Sequence, residues 1–471
     1  SVWFVKLAED YSVLSYTVVR GSDLGCMPKA RFGSSLTTLS GFTGDGTFML
    51  AVGSCEGECT FSKKEHEYAS GPGSVHLLNV DAFGGVISSV QITEGVSGIP
   101  AGLLHKGDAF GRALTSADFD GDGRQELVVS ANTCWDGCEH AYENMERWAW
   151  CCPLGQTPTP GRRTSVFVLF LHSDGTVARY VRFGEGSSGL ESVRPFYFGE
   201  SLAALQGAAG EIPMLAVGVA YEDEEPAGIN RYWGMVYVLA LNVTLGVASY
   251  HTIGDAQLGN IEYGEVGLRG MAALPDLDWD GFPELAVGRK GYKPLFFQTG
   301  TDSPPAVYIM HLNKTDGSYR GYEMIDDTDG SLGLDYDDGF GFSLSVMEAP
   351  RDDYRTGPHR LVAGTPQVKL SGSDPDESSQ RRGAVWMLPF EGNPAPPYAP
   401  PTSPPPAAPP LPPFHPQPPS SPPAPPAPPV SPPLPPIDPP SLPPPVPPGR
   451  PPLGPAPPSP PLPPQPPPLQ P

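Results

Sequence analysis

An aromatic residue followed by glycine recurs five times along this chain, each time ahead of a short apolar run that closes on a small residue. The pairs are Phe32–Gly33, Phe110–Gly111, Phe198–Gly199, Tyr263–Gly264 and Phe340–Gly341. The runs are Leu50–Gly53, Leu127–Ser130, Leu215–Gly218, Leu285–Gly288 and Leu361–Gly364. A third element, an alternating strand, follows at Ser74–Leu78, Ser165–Phe170, Gly234–Leu239, Ala306–Met310 and Gly383–Leu388. Tight turns such as Ser173–Gly175 and Thr315–Gly317 then introduce a fourth strand. Short strands with period-two alternation, repeated at a long period, predict an all-β repeat protein.

Four strands per repeat is the unit of a β-propeller blade. A single blade cannot bury both of its faces, so successive blades pack around an axis. Glycine after the aromatic suits a tight turn beside the neighbouring blade, where a Cβ would collide. The competing reading is a set of unrelated hairpins in sandwich domains. Before the first full repeat, Val2–Leu7 reads as a third strand and Tyr16–Arg20 as a fourth. The last repeat passes from its third strand directly into a proline-rich segment. The expectation is therefore a propeller of six or seven blade positions, with about five and a half repeats encoded here.

Composition sets the domain boundary. Of the 64 prolines, 45 lie in residues 391–471, which leaves residues 1–390 as the propeller. The net charge of −23 belongs almost wholly to the propeller, because the tail offers only Glu391, Asp438 and Arg450. Such a domain repels nucleic acid and anionic lipid and suits divalent cations. No window of 18 or more apolar residues is present, so no membrane span is expected. A start at Ser1 without a signal-peptide pattern reads as a processed or truncated form.

Two repeats carry an acidic loop between the first and second strands. One runs Asp118, Asp120, Asp122, Gly123, Arg124, Glu126; the other runs Asp276, Asp278, Asp280, Gly281, Phe282, Glu284. Both read D-x-D-x-D-G-x-x-E. Carboxylates at alternate positions of a tight loop converge on one point, and the carbonyl of the seventh residue, Arg124 or Phe282, can turn inward. Hard oxygen donors in that number select calcium over magnesium. An EF-hand fails on spacing, because its twelfth position would be Val129 or Val287, inside a strand. Repeats one, three and five lack the ligands, so two calcium ions are expected.

The combination of Phe-Gly, an internal D-x-D-x-D-G loop and Leu-Ala-Val-Gly resembles the FG-GAP repeats of integrin α-subunits and related extracellular propellers, over roughly residues 20–390. That resemblance implies a six- or seven-bladed propeller with calcium on the loops between the first two strands, supporting the fold. Two departures matter: only two repeats keep the metal loop, and the repeat count falls short of seven.

Of the seven cysteines, Cys55 and Cys59 share one loop, and Cys134, Cys138, Cys151 and Cys152 another, beside Trp135, Trp148 and Trp150. Loop-stapling disulfides are the expected use and zinc ligation the competing one. Cys26 is the candidate for the thiol left over. Asn242 and Asn313 begin Asn-x-Thr sequons for N-glycosylation, which with the cysteines favours an extracellular, oxidising setting.

Proline fixes φ and lacks an N–H, so residues 391–471 exclude helix and sheet and leave polyproline II. Straight, such a tail extends on the order of 230 Å. It reads as a linker, as an SH3 or WW ligand, or as a structural rod. Its Ser-Pro-Pro and Ala-Pro-Pro units resemble the shafts of plant and green-algal hydroxyproline-rich glycoproteins, a resemblance that implies hydroxylated prolines bearing arabinose- or galactose-rich glycans. A globular head on such a shaft is similar to components of algal surface fibrils and flagellar hairs.

No nucleophile elbow, P-loop or HExxH pair is present, so an enzyme is not expected. The expected function is a structural extracellular or cell-surface glycoprotein, with a calcium-stabilised head on a glycosylated shaft. Its partners would be other copies or other fibril and matrix glycoproteins. The alternative is an integrin-like adhesion module that binds a protein or glycan through the propeller face.

Overall fold

A computed structural model of the chain describes residues 1–389, apart from 9, 27–29, 44–46, 55–70, 106–107, 132–163, 185, 188, 191–194, 197, 208–210, 220, 223–233, 255–256, 259–264, 290, 292–303, 328–331, 335–337, 348–358 and 370–380. Ser1–Pro401 and Thr402–Pro471 are separate compact units, and the described residues all belong to the first. The proline-rich tail and its rod reading lie outside them.

The described chain is built of antiparallel strands, with one short 3-10 turn at Gly21–Leu24. A hairpin opens it, β1 (Val2–Leu7) and β2 (Val13–Val19). Blade one follows as β3 (Leu36–Leu39), β4 (Thr47–Ser54), β5 (Ser74–Asp81) and β6 (Val86–Ile92). Blade two is β7 (Leu114–Ala117), β8 (Glu126–Ala131), β9 (Ser165–Leu171) and β10 (Val177–Gly184). A short strand β11 (Pro195–Phe196) leads into blade three, whose first strands are β12 (Leu202–Leu205) and β13 (Met214–Val219). β14 (Tyr221–Glu222) returns to pair with β11, and β15 (Met235–Leu241) and β16 (Val247–Ile253) complete the blade. Blade four is β17 (Met271–Ala273), β18 (Leu285–Arg289), β19 (Ala306–Leu312) and β20 (Tyr319–Ile325). Blade five has β21 (Ser343–Met347), β22 (Arg360–Lys369) and β23 (Arg381–Pro389), the last strand among the described residues.

Within each blade the strands pair in chain order, the GAP-type run always second. Because side chains alternate across a strand, each blade offers one apolar face to either neighbour. The buried residues accordingly fall into five clusters, one per junction. Met49, Ala51 and Val75 of blade one meet Phe110, Leu127 and Leu169 of blade two. Val128, Val168 and Phe198 join blades two and three, and Ala216, Val238, Leu285 and Met310 join three and four. Ala286, Ile309, Phe340 and Leu361 join four and five. The other face of blade one, with Leu50, Val52 and Leu78, packs on Val2 and Val19 of the hairpin. Each fully buried side chain of this size contributes roughly 1.5–3 kcal/mol, so the ring of junctions holds the architecture.

The aromatic–glycine turns knit neighbouring blades at the backbone. A Cβ on Gly111 would press on Ser74 O (2.6 Å) and Val75 of blade one, and one on Gly341 on Val307 of blade four (2.8 Å). Conversely, a Cβ on Gly53, Gly218 or Gly288 would overlap the carbonyl oxygens of Gly111, Gly267 or Gly341 in the following blade. In the fourth repeat the structure corrects the sequence reading. Tyr263–Gly264 lies outside the described residues, and the turn is made by Val266, buried, and Gly267 at φ 77°. Gly267 meets Met235 O and Val236 just as Gly111 meets Ser74 and Val75. A buried apolar side chain before a left-handed glycine is what the position needs, and valine supplies it.

The hairpin holds the third- and fourth-strand places of a further blade position. A Cβ on Gly33 would meet Ser1 O (2.9 Å) and Val2 (3.4 Å), repeating the relation of Gly111 to Ser74 and Val75. The turn glycines repeat too: Gly84 faces Phe4 as Gly175 faces Leu77 and Gly317 faces Val238. On its other side the hairpin reaches blade five, where Arg360 donates to the Tyr11 hydroxyl (2.8 Å) and lies over its ring.

Candidate metal centre

The loops between first and second strands in blades two and four have one hydrogen-bond skeleton. The first aspartate accepts two backbone N–H groups. Asp118 takes those of Gly121 (2.7 Å) and Gly123 (2.9 Å), and Asp276 those of Asp280 (3.1 Å) and Gly281 (2.9 Å). The second accepts from the loop's fifth residue, Asp122 to Asp120 (3.3 Å) and Asp280 to Asp278 (3.2 Å). The third accepts from the seventh, Arg124 to Asp122 (2.8 Å) and Phe282 to Asp280 (2.9 Å). The loop therefore winds around its own carboxylates. The tight path puts Gly121, Gly123 and Gly281 at positive φ, and Trp279 too, at φ 63°, which is costly for a bulky residue.

The result is two aspartate triads, Asp118–Asp120–Asp122 and Asp276–Asp278–Asp280, each with ligand oxygens within 4.8 Å of one another. A carboxylate oxygen carries two lone pairs, so the backbone bonds leave acceptor capacity for a cation. Three like charges this close repel unless something positive sits among them.

Glu126 and Glu284, the closing ligands expected at the ninth position, each make a backbone bond through one carboxylate oxygen. Glu126 is 4% exposed and accepts the N–H of Phe119 (2.7 Å); Glu284 is 2% exposed and accepts that of Leu277 (2.6 Å). Each ties the loop's beginning to the second strand. Burial first, with the nearby aspartates adding to it and the accepted N–H opposing it, pushes both carboxyls up to about 7. Glu284 is nevertheless also gathered with Asp278 and His311. Arg124 and Phe282 stand at the seventh positions, and their N–H groups serve the triads as described.

The environments of the triads differ. Around blade two, Arg179 approaches Asp120 at 3.4 Å, with both side chains at the surface. Around blade four, Arg320 contacts Asp280 and lies 3.2 Å from Asp278. His311 Nδ1 lies 3.3 Å from Glu284 and 3.6 Å from Asp278, and Lys314 Nζ donates to the Asp280 carbonyl (3.0 Å). These basic groups come from β19, β20 and the turn between them. The sequence motif ends before any of them, and the only available signal was an arginine near the start of the fourth strand in both blades.

Asn242 and Asn313 occupy matching turns between third and fourth strands. Asn242 Oδ1 accepts from Thr244 N (2.9 Å) and Oγ1 (2.7 Å), and Asn313 Oδ1 from Thr315 N (3.1 Å) and Oγ1 (2.8 Å). Cys26 Sγ lies 3.3 Å from Nε2 of buried His76. Cys55, Cys59, Cys134, Cys138, Cys151 and Cys152 lie outside the described residues, as do the three tryptophans near them.

Comparison with known proteins agrees with this geometry where it reaches. Residues 110–133 match the FG-GAP repeat family, a stretch holding Phe110–Gly111, the first triad and β8. No curated protein sequence matches the chain. Among solved structures, a rhamnogalacturonan lyase (PL11) of Bacillus licheniformis is similar with a TM-score of 0.28 and 16% identity, over 69% of this chain and 54% of the lyase. At that score the likeness carries no argument about activity.

Proposed function

We propose that this FG-GAP-type propeller is the calcium-stiffened head of a structural cell-surface or matrix glycoprotein, and that its proline-rich tail is a glycosylated shaft. The observation that carries the reading is the pair of aspartate triads at one register in blades two and four, folded around their own N–H groups. Asp118, Asp120, Asp122 and the Arg124 carbonyl would hold one calcium ion; Asp276, Asp278, Asp280 and the Phe282 carbonyl would hold the other. Hard oxygen donors and flexible geometry fit calcium. The ions would clamp the first two strands of each blade and leave chemistry to other proteins. Extracellular calcium saturates weak sites, and the sequons and tail composition support the same compartment. Among the described residues no helix is long and apolar enough to cross a membrane.

Calorimetric titration of the chelated protein with calcium, together with mass spectrometry of the native tail, tests both halves. Two binding events and hydroxyproline bearing pentoses or hexoses support the reading. Absence of calcium binding overturns the head, and bare proline reduces the tail to a linker. Trp279 favours a second reading, that of an adhesion module. It is 54% exposed between two triad aspartates, where an aromatic anchor beside a metal can meet a protein or glycan.

A further inference from the structure

The acidic loops of blades two and four differ in the third-strand residue that stands opposite their ninth position. Pairing of Leu127 with Leu169 puts Phe170 opposite Glu126, and pairing of Leu285 with Met310 puts His311 opposite Glu284. One loop therefore has an imidazole beside it where the other has a phenyl ring. His311 Nδ1 lies 3.3 Å from Glu284 Oε1 and 3.6 Å from Asp278 Oδ2, and the ligand atoms of the three residues all lie within 4.8 Å of one another. Each carboxylate is anchored through its other oxygen. Glu284 Oε2 accepts the N–H of Leu277 (2.6 Å), and Asp278 Oδ1 accepts that of Asp280 (3.2 Å). The far nitrogen of the ring, Nε2, is 4.0 Å from Glu323 Oε1.

We propose that Asp278 Oδ2, Glu284 Oε1 and His311 Nδ1 form a site for zinc, a borderline divalent cation, beside the aspartate triad of blade four. The separations fit a shared ion better than a hydrogen bond. A good N–H···O bond spans about 2.7–3.2 Å, and Nδ1 meets neither carboxylate within that range. Two ligands bound tetrahedrally to zinc at about 2.0–2.1 Å stand about 3.3–3.4 Å apart. Calcium takes oxygen ligands, whereas imidazole joined to carboxylates suits zinc. Glu323 stands on the side of the ring from which a carboxylate orients a zinc-bound imidazole. Glu284 is 2% exposed, while Asp278 and His311 keep 27% and 19% of their side-chain surface and leave a way in. Arg320 also reaches Asp278 Oδ2 (3.2 Å), so zinc must share that oxygen with it. Two of the three ligands lie outside the triad, and the site does not rest on the calcium reading.

The test titrates the full chain, freed of metal by chelation, with zinc chloride in a calorimeter, with and without excess calcium. The variants are His311→Phe and His311→Asn, which place there the residues that blades two and one hold at the same register, Phe170 and Asn79. Native protein is expected to bind a zinc ion that both variants bind at least about tenfold more weakly, with their far-ultraviolet circular dichroism unchanged. Zinc X-ray absorption of the native protein, which needs no variant to fold, is expected to show imidazole and oxygen neighbours. No zinc binding by the native chain, equal binding by the variants, or sulfur around the zinc would each overturn the proposal. Zinc binding without calcium binding upholds this site and sinks the calcium reading; calcium binding without zinc binding does the reverse.

Discussion

His76 shows how a single enclosed side chain ties this fold to pH. It sits buried on β5, edge-on to Phe32 at 5.6 Å, with Nε2 near Cys26 Sγ (3.3 Å) and Ser74 Oγ (3.4 Å). Burial disfavours the imidazolium and holds its pKa below the ordinary 6.5. The unfolded chain therefore takes up a proton near 6.5 while the folded one does not, so stability is lost as pH falls from there towards the folded value. A urea midpoint that declines below pH 6.5, and declines less steeply in His76→Gln, is expected; identical slopes would remove His76 from the account. Backbone contact is just as local. Gly218→Ala drives a Cβ into the Gly267 carbonyl, across a junction with no slack. The expected cost is about 2–3 kcal/mol. Gly321→Ala, on β20 with nothing within 4 Å of the added atom, is the control and stays near neutral in the same denaturation experiment.

Two loops with one motif become different sites because of the strands beside them. In blade four, Arg320 already answers the charge of Asp278 and Asp280, while among the described residues the blade-two triad is met by the surface contact of Arg179. An arginine in that position competes with an arriving cation. Exposed pairs of this kind are worth about 0.2–1 kcal/mol, so Arg320→Ala strengthens calcium binding at the blade-four loop by about 1.4- to fivefold. Calorimetry in an Asp120→Asn background isolates that loop, and unchanged or weaker binding would show that Arg320 is no competitor. What was legible in the sequence follows the same division. Left-handed glycines, alternating strands and self-wound acidic loops are local requirements of the backbone, so they are legible in the sequence in four, five and two copies. His311, Lys314 and Arg320 lie 27 or more residues beyond the loop they touch, brought there only by pairing of β18, β19 and β20. The fourth aromatic–glycine turn was misplaced for a related reason: burial of Val266 between blades matters there, and an aromatic ring does not.

The propeller as a whole gains cohesion from five apolar junctions in series, and the proposed calcium clamps sit in the second and fourth blades. A ligand that binds only the folded state stabilises it by about 2.7 kcal/mol at a hundredfold excess over its dissociation constant. Two independent sites would then add about 5 kcal/mol. Chelation should accordingly lower the thermal midpoint of the intact protein without abolishing a cooperative transition, because the junctions persist. Asp120→Asn and Asp278→Asn should each remove one ion and about half of that shift, the double variant all of it. A shortened chain of residues 1–390 should keep the calcium stoichiometry and the size of the chelation shift, since both triads lie within the first compact unit. Differential scanning calorimetry with and without excess EDTA reads all five proteins. An unchanged midpoint for the intact protein in EDTA would refute structural calcium outright. A shift that survives in the double variant would instead mean that calcium stabilises the head from somewhere other than these two loops.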